Sequence, residues 1–464
     1  FQGAAPLKDL PSLTVSIEQG ASPSVEGNHI LGLPDSPPAV RSSLGLQIQA
    51  AGGTIAHNLI QGGKGRSNLA TTTASRGVFI DGLGGPITLA DNIIDGGDGQ
   101  QQLAAGGVGS VGVDVRDRAG QASSLVLRRN EIRGGRGRAA QGVHGAGINV
   151  ENSSGIDLLD NDVRGNSDGG LGIVTTPSTI TGIRLLGASN VKVTGNRVYA
   201  GEAVATTTGL VNLTGVSLNR CQGVALHSNV VHGGNGFGTT FHAVPRGITL
   251  TTVTDISVND PPNSDISLVS NTILSGRRGG PAMLSAALQI SGPQTGLGVV
   301  NNLLVSEART GGAAGSQSLV LNFPDCYQDS IAVLEGNALV SAGVGPLAAA
   351  LGGQNASPAQ VCKQLSPGTT AGNSTVSLLK ANNKGSPLVE IKDTVVLTST
   401  CVGEDQCTLV PECSTTEKCL TTLFTAHGFG SGPLPVLAHG FRLRDQAPCP
   451  LQSLGVASVP LDLF

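Results

Sequence analysis

The chain has 464 residues, 68 of them glycine, with no tryptophan and aromatic residues at only 2%. That excludes a thick core built on aromatic rings, and 13% charged residues with recurrent Val, Ile and Leu runs argue against disorder. The net charge of −4 supplies no field that favours nucleic acid, and no apolar run nears the roughly 20 residues of a membrane span.

Residues 1–24 hold Pro6, Pro11 and Pro23 around one strand-like run, Leu13-Thr-Val15-Ser-Ile17. They are expected to form an N-terminal cap, because the first rung of a stacked repeat is an open sheet edge. The chain opens at Phe1 with neither Met nor a charged-then-apolar leader, so any signal or anchor is expected upstream.

From 25 to 340 a repeat dominates. The phrase Asn-x-[Ile/Val/Leu] recurs at Asn28, Asn58, Asn92, Asn130, Asn161, Asn196, Asn229, Asn271, Asn302 and Asn337, at intervals of 30 to 42 residues. Before each Asn stands an apolar-x-apolar run, such as Ile87-Thr-Leu89 or Leu125-Val-Leu127. Earlier still comes Gly with a second alternating run, as in Gly77-Val-Phe-Ile80, Gly112-Val-Asp-Val115 and Gly147-Ile-Asn-Val150. Period-2 alternation over three to five residues means short strands with one face buried. One coil therefore carries three strands, and about 10–12 such coils stack, since none buries its apolar face alone. Parallel strands joined by crossovers are right-handed almost without exception.

The repeating Asn is expected to be structural. Its amide donates to and accepts from the same amide in adjacent coils, and it tolerates the left-handed backbone of a sharp corner. Spare residues fall after the third strand at about 64–75, 98–109, 136–145, 167–180, 201–213, 235–245 and 277–286, which predicts a wall of loops along one edge.

From 341 to 464 the repeat decays. Ser357-Pro358 is expected to open a short helix, and the rest reads as final irregular coils and a cap tied by disulfides. Of eight cysteines, Cys401, Cys407, Cys413 and Cys419 are spaced C-x5-C-x5-C-x5-C, unlike the close pairs of zinc sites. Cys326 and Cys362 lie about one coil apart and are expected to pair, the cluster to form further bridges, and Cys221 to stay a free thiol.

The Gly-[Ile/Val]-x-[Ile/Val]…Asn-x-[Ile/Val] coil resembles the parallel β-helix repeat of the pectate-lyase-like superfamily over residues 25–340. The ending Gly440-Phe-Arg-Leu443…Ala447-Pro-Cys449…Asp462-Leu-Phe464 is similar to the close of bacterial secreted β-helix proteins, with Ala-Pro-Cys in place of Ser-Pro-Ala. The resemblance implies an all-β fold, a right-handed parallel β-helix. It implies no single activity, since that superfamily holds lyases, hydrolases, adhesins, phage tailspikes and inert surface proteins.

Chemistry is sparse. Hydrolases of this shape resemble one another in Asn-Thr-Asp, Asp-Asp, His-Gly and Arg-Ile-Lys phrases. Here Ser270-Asn-Thr-Ile273 lacks the second carboxylate, and His232-Gly233 and His427-Gly428 lack partners. Lyases of this shape need an acidic calcium nest beside a base. The best candidates are Asp114, Asp117 and Glu151 with Arg116 and Arg118 interleaved, followed by Asp157, Asp160 and Asp162. A solvent face laced by salt bridges accounts for either set. No catalytic, cofactor or metal residue is assigned.

The expectation is a non-catalytic extracellular or cell-surface β-helix serving as scaffold, adhesin or assembly subunit. It recognises a surface glycan or protein, or a copy of itself as a homo-oligomer or filament, through the corner loops or coil ends. The alternative is a polysaccharide lyase or glycoside hydrolase acting in a groove along the β-helix.

Overall fold

The computed structural model describes residues 12–349 apart from 34–41, 68–72, 83, 102–106, 117–123, 140–141, 167–177, 205–209, 238–241, 252–260, 277–283, 293, 308–316, 323–332, 336 and 343–347; beyond 349 it describes 390–392, 395–401 and 407–410. The expected helix after Ser357 and the residues Cys326, Cys362, Cys413 and Cys419 lie outside that set. Much of the expected loop wall does too.

Three long sheets run side by side down the molecule, and each draws its strands from successive coils. Sheet 1 has 11 strands and includes Ser12–Ile17, Ser43–Gln49, Thr73–Asp81, Gly107–Arg116 and Gly142–Glu151. Sheet 2 has 13, among them Gly53–Ala56, Ile87–Ala90, Leu125–Arg128 and Ser154–Leu159. Sheet 3 has 12, among them Leu59–Gln61, Ile93–Asp95, Glu131–Arg133 and Asp162–Arg164. These are the three runs of the sequence repeat. Neighbours pair in parallel except for the last pair of sheet 3, as where Val113, Asp114 and Val115 face Ile148, Asn149 and Val150.

The run from Leu13 to Ile17, expected as a cap, is a strand of sheet 1 in register with Ser43–Gln49. At the other end, Glu390–Lys392 and Val395–Cys401 continue sheets 2 and 3, and Cys407–Val410 turns back antiparallel to place Cys407 opposite Cys401.

The interior is a single file of aliphatic side chains. Ile55, Leu89, Leu127, Leu158, Val193 and Leu226 stack along sheet 2, and Ile60, Ile94, Ile132, Val163, Val198 and Val231 along sheet 3, all fully buried. Among the described residues no aromatic ring enters this cluster, in keeping with the composition. At about 25 cal/mol per Å² the stack stabilises each coil only through its neighbours, because one coil alone leaves both ends of its apolar layer wet.

The Gly that recurs in sheet 1 strands from Gly45 to Gly247 has a packing cause; one coil farther on, Ala287 takes its place. A Cβ on Gly112 would lie 2.6 Å from both the Gly147 carbonyl oxygen and Ile132 Cγ2 of sheet 3. Sheet 1 approaches sheet 3 there and folds over sharply. Gly97, just after the sheet 3 strand, adopts a φ of 79°, a left-handed backbone that glycine takes without steric cost.

Between sheets 2 and 3 runs the asparagine ladder. The Asn130 peptide N–H and its Nδ2 both donate to Asn161 Oδ1, each at 3.0 Å, and Nδ2 also donates to the Leu89 carbonyl at 2.9 Å. The same Oδ1 pattern links each neighbouring pair from Asn28 to Asn337. The left-handed residue at this corner is not the asparagine, contrary to the expectation from its chemistry. It is the residue before it: His57, Asp91, Arg129, Asp160, Ser228, Ser270 and Asn301, with φ between 51° and 56°. One residue turns the chain, and the next aligns its amide with the stack.

Candidate functional site

Position 76 precedes the bend glycine, and position 79 follows it by two. In an unbroken pleat these side chains would point to opposite faces. Folding at Gly77 puts both outside, on the concave side of the bend, where the Arg76 guanidinium lies 4.3 Å from the centre of the Phe79 ring.

In the next coils the outward position after the bend is Asp114, Asn149, Arg184, Ser217, Thr249, Gln289 and Asn322, successive register partners along sheet 1. The result is a polar row laid along the length of the molecule.

Asp114 anchors one end of the row and is fully buried. Arg76 Nε donates to its Oδ2 at 2.5 Å, Arg116 Nε stands 3.2 Å from that oxygen, and Asn149 Nδ2 donates to Oδ1 at 2.7 Å. Burial by itself pushes the Asp114 carboxyl up; Arg76, Arg116 and the Asn149 amide together outweigh it and hold the group below the usual carboxylate range. Arg116 also reaches Glu151 Oε2 at 3.6 Å, and its NH2 donates to Thr73 Oγ1 at 3.1 Å. Arg184 continues the row by donating to Asn149 Oδ1 at 2.8 Å.

A second cluster lies farther along. Arg246, immediately before Gly247, donates from Nε to Gln289 Oε1 at 2.6 Å and from NH1 to Asn212 Oδ1 at 2.9 Å. Asn322 Nδ2 donates to the same Gln289 oxygen at 3.0 Å. Desolvation lowers the Arg246 pKa to about 10, so it stays a cation at neutral pH.

The first set of sequence candidates is partly brought together. Asp114, Arg116 and Glu151 meet on adjacent coils, but Asp114 is buried rather than facing solvent; Asp117 and Arg118 lie outside the described residues. The second set is dispersed: Asp157 is on sheet 2, Asp160 at the turn, and Asp162 on sheet 3 beside Arg164 and Arg197. His232 is buried, and its Nδ1 accepts the Gly234 N–H at 2.9 Å, closing a turn. His427 lies outside the described residues. Cys221 is an unpaired thiol, buried, with Sγ donating to the Leu185 and Asn219 carbonyls; burial pushes its pKa up.

The sequence reading missed Arg76, Asn149, Arg184, Arg246, Gln289 and Asn322. For Arg76 and Arg246 the signal was the residue before a bend glycine, and for Asn149 and Arg184 it was the x of Gly-Ile-x-[Val/Leu]; Gln289 and Asn322 follow Ala287 and Val320, so only strand register places them in the row. No group of three or more His, Cys, Asp or Glu able to hold a metal occurs among the described residues, and none of their helices is long and apolar enough to cross a membrane.

A family model described as a right-handed beta helix region matches residues 12–182. The three parallel sheets carry the same fold, a right-handed parallel β-helix, through the described coils beyond the matched residues. No curated protein matches the sequence. Among solved structures, the Dettilon tailspike protein gp208 aligns over 75% of this chain at 14% identity with a TM-score of 0.41. Tailspike protein 2 from Escherichia coli O157:H7 bacteriophage CAB120 aligns over 65% of it at 15% identity with a TM-score of 0.28. The chain spans 60% of the first protein's length and 34% of the second's.

Proposed function

We propose that the chain is a non-catalytic extracellular β-helix that recognises a saccharide along the concave row of sheet 1. The observation that carries this reading is the makeup of the row: amides, hydroxyls and guanidinium groups on successive rungs about 4.8 Å apart, with a carboxylate already committed to its neighbours. Amides and guanidinium groups in fixed planes suit the paired hydroxyls of a sugar chain.

Two observations weigh against the rival readings. A glycosidase needs a carboxylic acid with a raised pKa opposite a free carboxylate. Asp114 is held low and ion-paired, and Glu151 pairs with Arg116. A protein partner would want apolar contact area, and Ile93 is the one exposed large hydrophobic among the described residues. An extracellular setting rests on the cysteine-rich tail and its expected bridges.

A glycan array followed by a turnover assay on the hits tests the proposal. Binding of oligosaccharides with no release of new reducing or unsaturated ends is the expected result. Product formation would make the chain an enzyme, and an array without hits would overturn the saccharide reading.

A further inference from the structure

Arg76 and Arg246 occupy the same place in the repeat. Each stands immediately before a bend glycine, and each reaches the outward side chain that follows the bend in the next coil. For Arg76 that residue is Asp114, which supplies a countercharge. For Arg246 it is Gln289, a neutral amide, and its other partner is the amide of Asn212. No carboxylate contacts Arg246 among the described residues.

The molecule thus carries its own control: two equivalent guanidinium groups, one neutralised and one not. A desolvated cation held only by neutral groups is costly, so an uncompensated one points to a countercharge from outside the chain. Three of the five guanidinium N–H groups remain after the bonds to Gln289 and Asn212. The Arg246 side chain also keeps some contact with solvent.

A second observation lies one coil on. Asn322 is buried, its Nδ2 is bound to Gln289, and its Oδ1 has no hydrogen-bond partner. A buried acceptor without a donor costs stability until a hydroxyl or water meets it. An anion beside Arg246 and a hydroxyl beside Asn322 are together the polar groups of one acidic sugar residue.

We propose that Arg246, Gln289 and Asn322 form a subsite for the carboxylate and an adjacent hydroxyl of an acidic sugar residue. It rests on the saccharide reading above and specifies its charge. The sugar carboxylate supplies at Arg246 the countercharge that Asp114 supplies at Arg76, on the guanidinium N–H groups that Gln289 and Asn212 leave open.

The test uses the full chain and sodium glucuronate, with glucose, inorganic phosphate and sodium chloride at matched ionic strength as the other arms. Glucuronate should raise the melting temperature of the wild type, and glucose and chloride should not. Arg246→Met should abolish the response. Gln289→Glu provides the countercharge internally, so it should raise the melting temperature without ligand and remove the glucuronate response. This variant keeps the test decisive if Arg246→Met fails to fold.

Acidic glycans that bind on the array should lose affinity about tenfold or more when their carboxyl groups are reduced to alcohols, the loss expected for one charge-assisted contact. No glucuronate response in the wild type, or one that survives Gln289→Glu, overturns the subsite. An equal response to phosphate reduces it to a general anion site and overturns the sugar assignment. Glycans that bind equally well after reduction overturn the subsite and leave the saccharide reading standing. A glucuronate response with an empty array leaves the subsite and removes the polymer reading.

Discussion

Asn130 joins three coils through one amide. Its Oδ1 accepts both the peptide N–H and Nδ2 of Asn92, and its own Nδ2 serves Asn161 and the Leu89 carbonyl. Asn130→Ala strands the buried Asn92 donors, and we expect a loss of about 3 kcal/mol, measured by denaturant unfolding. Asn28, at the end of the ladder and partly exposed, should cost under about 1 kcal/mol on the same change. Equal losses would contradict the ladder as the source. Asp114 makes a pH prediction. Its carboxyl is depressed in the folded chain, so its stabilisation is present above the unfolded pKa of about 3.9 and is lost as pH falls through the lower folded value. Asp114→Asn leaves Arg76 buried without countercharge and should cost about 3 kcal/mol at pH 7. The difference between variant and wild type should shrink as pH falls from the unfolded value of about 3.9 through the lower folded one. A difference independent of pH would locate the effect in packing instead.

Bends in the strands, rather than the strands themselves, set the element scale. Gly112→Ala drives a Cβ into backbone oxygens of two neighbouring segments, which have no rotamer to escape by. It should destabilise by about 1–3 kcal/mol or more. Gly298, in the strand Gly298–Val300 of sheet 2, has open space where its Cβ would go and no left-handed backbone, so Gly298→Ala should be neutral within about 1 kcal/mol. Thermal unfolding of the pair separates close approach from a general intolerance of side chains. Strand identity and order were legible in the sequence because alternation and the asparagine phrase are local. The bend was not: Gly77 and Gly112 read as mere strand openers. Only the sheet 3 isoleucines packed against them show why a side chain is excluded. Simple alternation would put Arg76 and Phe79 on opposite faces. The left-handed corner was misplaced by one residue because both Asn and its predecessor suit a turn, and only hydrogen-bond geometry assigns the roles.

Over the whole molecule, the repeat turns a one-dimensional pattern into a row of outward side chains with a fixed spacing. Positions far apart in sequence, Arg76 to Asn322, thereby share one face. That face was invisible in a search for motifs, since its members are single residues from successive coils, and legible only once register was known. The corner loops drew attention for their length, yet the polar row lies on sheet 1. Hydrogen–deuterium exchange of the full chain with and without a saturating array-selected oligosaccharide tests this placement most directly. The account predicts protection confined to sheet 1 segments, including 107–116, 142–151, 242–251 and 284–291. Protection confined to the corner segments 62–67 and 96–101, with sheet 1 unchanged, would contradict it.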